Sequence, residues 1–174
     1  ETLRDVKLQT PMLVYTREGE LIGQFGEQKR SPLPFDAIPE QFIKSLLAAE
    51  DDNYFVHNGI DVPGLMRAVS ELILTGEKGS GGSTLTMQVA RNYFLNLDRT
   101  FMRKFNEILL AIEIERALSK QEIFELYFNR VFLGHRAYGF EAASQVYYGR
   151  SIGELSLAQH AMLAGVPKAP SRDN

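Results

Sequence analysis

The sequence predicts a mainly α-helical fold, with a larger helical lobe, a smaller mobile lobe and one short N-terminal β-hairpin. Three observations predict it. Apolar residues recur at helical spacing in successive segments. Helix start and stop signals bracket those segments, including two capping boxes. Only residues 12–25 read as sheet.

The 174 residues, 44% of them hydrophobic, suffice for one domain with a real core, so 1–174 is read as a single domain. The net charge of −3 gives no global pull toward nucleic acid. The absence of cysteine excludes disulfides, thiolate nucleophiles and cysteine metal sites. His57, His135 and His160 show no metal-ligand spacing. No run approaches the ~18 apolar residues of a membrane helix. The chain opens without a signal peptide and stops just after Pro170, which suggests a piece of a longer, membrane-anchored protein.

The hairpin pairs Met12–Tyr15 with Leu21–Phe25 around Gly19. Pro32 and Pro34 mark a loop. Phe42, Ile43, Leu46 and Leu47 then form a helical pattern, with Pro39 in its first turn and Asp36 or a neighbour as cap. That helix runs into Glu50-Asp51-Asp52. Acids are misplaced at the negative end of a helix dipole, and their repulsion would raise at least one carboxyl pKa. Such a carboxyl suits general acid–base work, and a solvated acidic turn is the alternative.

Asp61 and Pro63 start the next helix, with Val62, Leu65, Met66, Val69, Leu72 and Ile73 as its apolar stripe and Gly76 as its stop; it reads as scaffold. Residues 76–83 form a Gly/Ser loop. It fails the P-loop pattern, because Gly82 stands where lysine is required and no strand precedes it. What survives is an anion or sugar site at a helix start, using Ser83 and Thr84, or a plain linker.

Residues 91–104 are basic and greasy. Arg91, Arg99, Arg103 and Lys104 interleave with Tyr93, Phe94, Leu95, Leu97, Phe101 and Met102. They suit anionic headgroups beside lipid, or a solvated helical corner. Thr100 can cap the next helix, whose core face reads as Phe101, Phe105, Ile108, Leu109 and Ile112. Glu107 lies off that stripe, on one side with Arg103 and Lys104. This is either a surface salt bridge or a second carboxylate beside phosphate-holding cations. Capping boxes Ser119–Glu122 and Ser156–Gln159 open two further helices, and a helix over Phe140–Tyr148 lies between them, stopped by Gly149.

Five blocks together resemble the peptidoglycan glycosyltransferase domain (glycosyltransferase family 51) of class A penicillin-binding proteins and monofunctional glycosyltransferases. They are Glu50-Asp51 through His57-Asn58-Gly59; Gly81-Gly82-Ser83-Thr84-Leu85-Thr86-Met87-Gln88 with Asn92; Arg103-Lys104-x-x-Glu107; Lys120-x-x-Ile123-x-Glu125-x-Tyr127-x-Asn129 with Gly134; and Gly139, Ala142-Ala143, Tyr147-Tyr148-Gly149 and Leu163-Ala164-Gly165-x-Pro167. Small departures are Tyr54-Phe55 for Phe-Tyr, Met87 for glutamine, Arg91 for lysine and Gln159 for glutamate.

The resemblance implies a lysozyme-like helical fold with an extended cleft. It implies polymerisation of lipid II into β-1,4-linked glycan at the outer, extracytoplasmic face of the bacterial cytoplasmic membrane. Glu50 would be the base and Glu107 the second catalytic carboxylate, positioning Lys104 or the donor. Lys104, Arg103, Arg91 and Arg99 would receive the diphosphate, and Ser83, Thr84 and Gln88 would bind sugar or phosphate oxygens. Asp51 would tune Glu50. No dedicated cofactor is expected, although a divalent cation (Mg or Mn) could bridge the diphosphate. Expected partners are lipid II, the growing glycan, the membrane surface, a C-terminal transpeptidase domain and other cell-wall synthesis proteins. Neither S-x-x-K nor K-T-G occurs here, so this piece should not react with β-lactams.

Two rivals stay open. A lysozyme-like hydrolase or lytic transglycosylase would use a similar acid without the cations. A non-catalytic lipid II- or peptidoglycan-binding domain would need no pair of glutamates.

Overall fold

The computed structural model describes residues 12–19, 21–25, 29–76, 82–94 and 101–168. The order is β1 (Met12–Tyr15), β2 (Leu21–Phe25), β3 (Lys29–Arg30), α1 (Glu40–Glu50), α2 (Val62–Thr75), α3 (Leu85–Phe94), α4 (Phe101–Ala117), α5 (Lys120–Arg130), β4 (Ala137–Tyr138), α6 (Phe140–Tyr148) and α7 (Leu157–Gly165). The fold is mainly helical, as expected. β1 and β2 form the predicted antiparallel hairpin, with Gly19 at a φ of +89°. The sequence reading missed the two-residue parallel pairing of β3 with β4.

The core gathers around Phe42 and Leu46 of α1, Phe124 and Phe128 of α5, and Phe140 of α6. Phe42 meets Phe128 edge-on at 5.6 Å and lies tilted against Phe140 at 4.8 Å. α7 packs along α1. Both predicted capping boxes form, at Ser119–Glu122 and Ser156–Gln159, and Gly149 ends α6 in the left-handed conformation. Asp36 does not cap α1. It lies in a separate 3₁₀ turn, Phe35–Ala37, and Pro39 holds the cap position without a side-chain bond.

The segment that feeds α1 is strapped to α5. Asn129 accepts from the Leu33 N–H at 2.9 Å and donates to the Leu33 carbonyl at 2.8 Å. Glu125 accepts from the Phe35 N–H at 2.9 Å. Gly139, at a φ of +87°, lets the chain pass over this strap, because a Cβ there would stand 2.9 Å from the Asn129 carbonyl oxygen. The strap thereby fixes the entry to α1, and the buried Phe42 and Leu46 hold the helix itself against the core.

Two predicted helix faces are corrected. The α2 stripe is not buried scaffold: Val62, Met66, Val69 and Ile73 are all exposed, Ile73 by 77%. What α2 turns inward is small, with Gly64 buried and Ala68 set against Gly82. On α4, Phe105 and Leu109 are 56% and 47% exposed, whereas Glu107 is 1% exposed. The buried face of α4 is Glu107, Ala111 and Ile114, continued by Leu118 just after the helix. Apolar periodicity marks a helix face without saying whether protein or something else covers it. The Leu72 and Phe101 side chains, Thr100, and most of the 76–83 loop lie outside the described residues.

Candidate active site

A cleft of about 810 Å³ opens beside the C-terminal end of α1. Its lining includes Glu50, Asp51, Ser83, Thr84, Gln88, Arg91 and Lys104, so seven of the ten predicted site residues meet there. Arg103 and Glu107 do not line it, and Glu107 reaches it only through Lys104. Arg99 lies outside the described residues. Lys168 and, on α2, Arg67 also line the cleft, and the sequence reading passed over both.

Glu50 closes α1, where the helix stops because Asp51 turns to a φ of −164°. Its Oε2 accepts one hydrogen bond, from Gln88 Nε2 at 3.0 Å. Its Oε1 is buried and has no hydrogen-bond partner among the described residues. Burial raises the Glu50 pKa; the Gln88 bond and the charges of Lys168 and Arg91 pull it back down, and Asp51 adds a small push upward. The predicted direction holds, but its cause is corrected. Desolvation outweighs repulsion among the acids, and Asp52 points to solvent.

Gln88 is itself held in place. The hydroxyl of the fully buried Tyr127 donates to its Oε1 at 3.3 Å, which orients the amide so that its NH₂ meets Glu50. Burial and the nearby Glu50 charge raise the Tyr127 pKa, so the phenol stays a donor.

Asp51 is occupied. It accepts from the Leu85 N–H at 2.9 Å, at the start of α3, and lies 3.0 and 3.1 Å from His57 Nε2. His57 Nδ1 accepts from the Gly59 N–H at 3.1 Å, which leaves the ring proton on Nε2, facing Asp51. The Thr84 hydroxyl donates to the Gly59 carbonyl at 2.6 Å and accepts from the Met87 N–H at 3.2 Å. Thr84 therefore caps α3 and ties it to the 51–59 loop, and its hydroxyl is committed within the protein. His57 was legible only as a member of its block; the close of this loop by an Asp–His–Gly chain was not.

Lys104 has three N–H donors. One goes to Ser83 Oγ at 2.7 Å and one to Glu107 Oε2 at 3.1 Å, which leaves a third for the cleft. Arg103 Nε stands 3.4 Å from Glu107 Oε1. The pair is no surface salt bridge, because the Glu107 side chain is buried. Its role is to fix the Lys104 ammonium at the rim.

No group of three His, Asp or Glu side chains able to hold a metal comes together among the described residues. Asp51 and Glu107, the buried acids nearest the cleft, are taken up as described.

A family model described as Transglycosylase matches residues 18–174. Penicillin-binding protein 1A of Pseudomonas aeruginosa is 59% identical over 174 residues, covering 100% of this chain and 21% of that protein. Penicillin-binding protein 1A of Escherichia coli K12 is 49% identical over 173 residues, covering 99% of this chain and 20% of that protein. A crystal structure of Penicillin-Binding Protein 1A from Haemophilus influenzae aligns at 32% identity with a TM-score of 0.49, covering 97% of this chain and 16% of that one. The chain therefore spans about a fifth of the length of the curated relatives it matches.

Proposed function

Because the chain belongs to the transglycosylase family, we propose that its cleft polymerises lipid II into β-1,4-linked glycan by an inverting displacement. The observation that carries this reading is the pairing of one buried carboxylate oxygen, Glu50 Oε1, which has no hydrogen-bond partner among the described residues, with cleft-facing cations on Arg91 and Lys104. The acceptor 4-hydroxyl attacks the anomeric carbon of the donor chain, and Glu50 takes the hydroxyl proton. The new C–O bond forms as the bond to the lipid diphosphate breaks, and the diphosphate leaves with the electron pair. Lys104, through its third N–H, and Arg91 receive that charge; Arg99 belongs to the same basic segment. A diphosphate leaving group needs cations more than a proton. A hydrolase releasing a sugar hydroxyl would need the reverse, so the cations favour transfer. A Mg or Mn ion, if present, would ride on the diphosphate oxygens.

The same reading puts the domain at the outer face of the cytoplasmic membrane. No helix among the described residues is long and apolar enough to cross a membrane. The exposed apolar residues of α2 and α4, with Phe94, suit contact with lipid tails. In the whole protein we place a transpeptidase domain C-terminal to this piece, because relatives about five times its length are named for penicillin binding.

The test is lipid II turnover in detergent, with products sized on a gel, for the wild type and Glu50→Gln. Long glycan from the wild type and none from a variant that still binds lipid II supports transfer and its base. Cleavage of preformed glycan with lipid II left intact would replace this reading with the hydrolase, and binding without either reaction would replace it with a lipid II-binding domain.

A further inference from the structure

Glu115 lies two helical turns beyond Glu107 on α4, with the buried Ala111 between them. The chemistry above makes no use of it. Its side chain is 8% exposed, and its Oε1 accepts two short bonds, from the Thr86 hydroxyl at 2.6 Å and from Lys120 Nζ at 2.7 Å.

The two partners belong to different segments. Thr86 is fully buried in the first turn of α3, just before Gln88. Lys120 opens α5, with its ammonium 4.4 Å from the centre of the Tyr54 ring, and the Tyr54 hydroxyl donates to the Lys120 carbonyl at 2.7 Å. Glu115 also bears on a third segment. Gly59 approaches α4 so closely that a Cβ would stand 3.0 Å from both the Ala111 carbonyl oxygen and Glu115 Cγ. One side chain thus joins three segments, its carboxylate bonding α3 and the start of α5 and its Cγ packing against the 51–59 loop.

We propose that Glu115 is a positioning residue, whose grip on Thr86 and Lys120 fixes α3 against the 51–59 loop and so holds Gln88 at hydrogen-bonding distance from Glu50. A buried ion pair seldom stabilises a fold more than apolar packing of the same shape would. What it supplies is geometry: partners behind a site set the orientation of the groups that do the chemistry. The distance from Glu115 to the cleft is bridged by the rigid first turn of α3, which Thr84 and Asp51 also pin.

This inference rests on the reading of Glu50 as base, so its test carries one readout that does not. In the whole protein, Glu115→Gln and Thr86→Val are compared with the wild type for melting temperature, lipid II kinetics across pH, and the ¹⁵N side-chain amide resonance of Gln88, assigned by its loss in Gln88→Leu. Both variants are expected to fold and to lose about tenfold or more in kcat with little change in KM. The acid limb of kcat should move to higher pH, and the Gln88 amide resonance should lose its dependence on Glu50 ionisation. Folded variants with wild-type kcat, acid limb and amide titration would overturn the proposal. So would a loss of activity accounted for entirely by the unfolded fraction. If Glu50→Gln keeps full activity, the base reading fails, and the amide titration alone still decides whether Glu115 positions Gln88.

Discussion

Two glutamates of the site, Glu107 buried and Glu50 half-buried, live in different surroundings. Glu107, on α4, sits between Lys104 and Arg103, with an ammonium 3.1 Å from one oxygen and a guanidinium nitrogen 3.4 Å from the other. Glu50, at the end of α1, has a neutral amide on one oxygen and no hydrogen-bond partner on the other among the described residues, and burial raises its pKa. Burial alone does not make a base. A buried carboxylate held between two cations is engaged by ion pairs on both oxygens and suits an anchor. One flanked by a neutral donor is poised to take a proton. The difference supports the proposed division of roles, with Glu50 as the base and Glu107 as the anchor of Lys104.

The largest effect should come from removing the base. Glu50→Gln is expected to lower lipid II turnover by about 10²–10⁴-fold while binding persists. The same change should raise thermal stability at neutral pH. The folded-state pKa of Glu50 lies above its unfolded value, so the folded state binds the extra proton between the two. Stability is therefore lost as pH rises through that window, and the neutral glutamine escapes the loss. Below both pKa values the melting temperatures of wild type and variant should converge. A scan of melting temperature against pH checks this.

Next in size is Lys104→Met, expected to cost about 10²–10³-fold in kcat through the lost cation. It also leaves Glu107 buried with Arg103 as its remaining cation, so thermal stability should fall. Glu107→Gln sharpens the contrast. It should lower kcat by a smaller factor than Lys104→Met, because the lysine remains but loses its anchor, and it should leave the acid limb of the pH profile in place. If Glu107→Gln moved that limb as far as Gln88→Leu does, the division of labour between the glutamates would be wrong.

Gln88→Leu should have a smaller effect on rate at neutral pH, about tenfold or less for one lost hydrogen bond. It removes the bond that favours ionised Glu50, so the acid limb should shift to higher pH. The smallest effect on chemistry should come from the α2 face. Met66→Ser with Ile73→Ser is expected to weaken sedimentation with anionic lipid vesicles while leaving turnover of detergent-solubilised lipid II within about twofold of wild type. Unchanged vesicle binding would remove α2 from the membrane reading.

The sequence carried a good deal of this. The capping boxes at Ser119 and Ser156 were readable because their chemistry is local, and each formed as read. Glu50 was legible as an acid at the end of a helix, next to residues of a recognisable block. What could not be read depended on how elements pack. The stripe of Val62, Met66, Val69 and Ile73 has the spacing of a core face, yet the structure leaves it exposed. Glu107 read as either a surface salt bridge or a second carboxylate beside Arg103 and Lys104, because its burial depends on how α4 packs, and it is the carboxylate that α4 turns inward. Thr84 looked like a ligand for sugar, and its hydroxyl is spent on the Met87 N–H of its own block and on Gly59, 25 residues away. Lys168 and Arg67 carried no local signal, because only the folded chain brings them to the cleft.

The central claim is that Glu50, whose burial outweighs the pull of Gln88, Lys168 and Arg91, takes the acceptor's proton, and the pH dependence of lipid II polymerisation tests it most directly. The account predicts an acid limb in kcat/KM above the ordinary glutamate value of 4.5, moving higher in Gln88→Leu and unmoved in Glu107→Gln. An acid limb at or below that value, indifferent to Gln88 and shifted by Glu107, would contradict it.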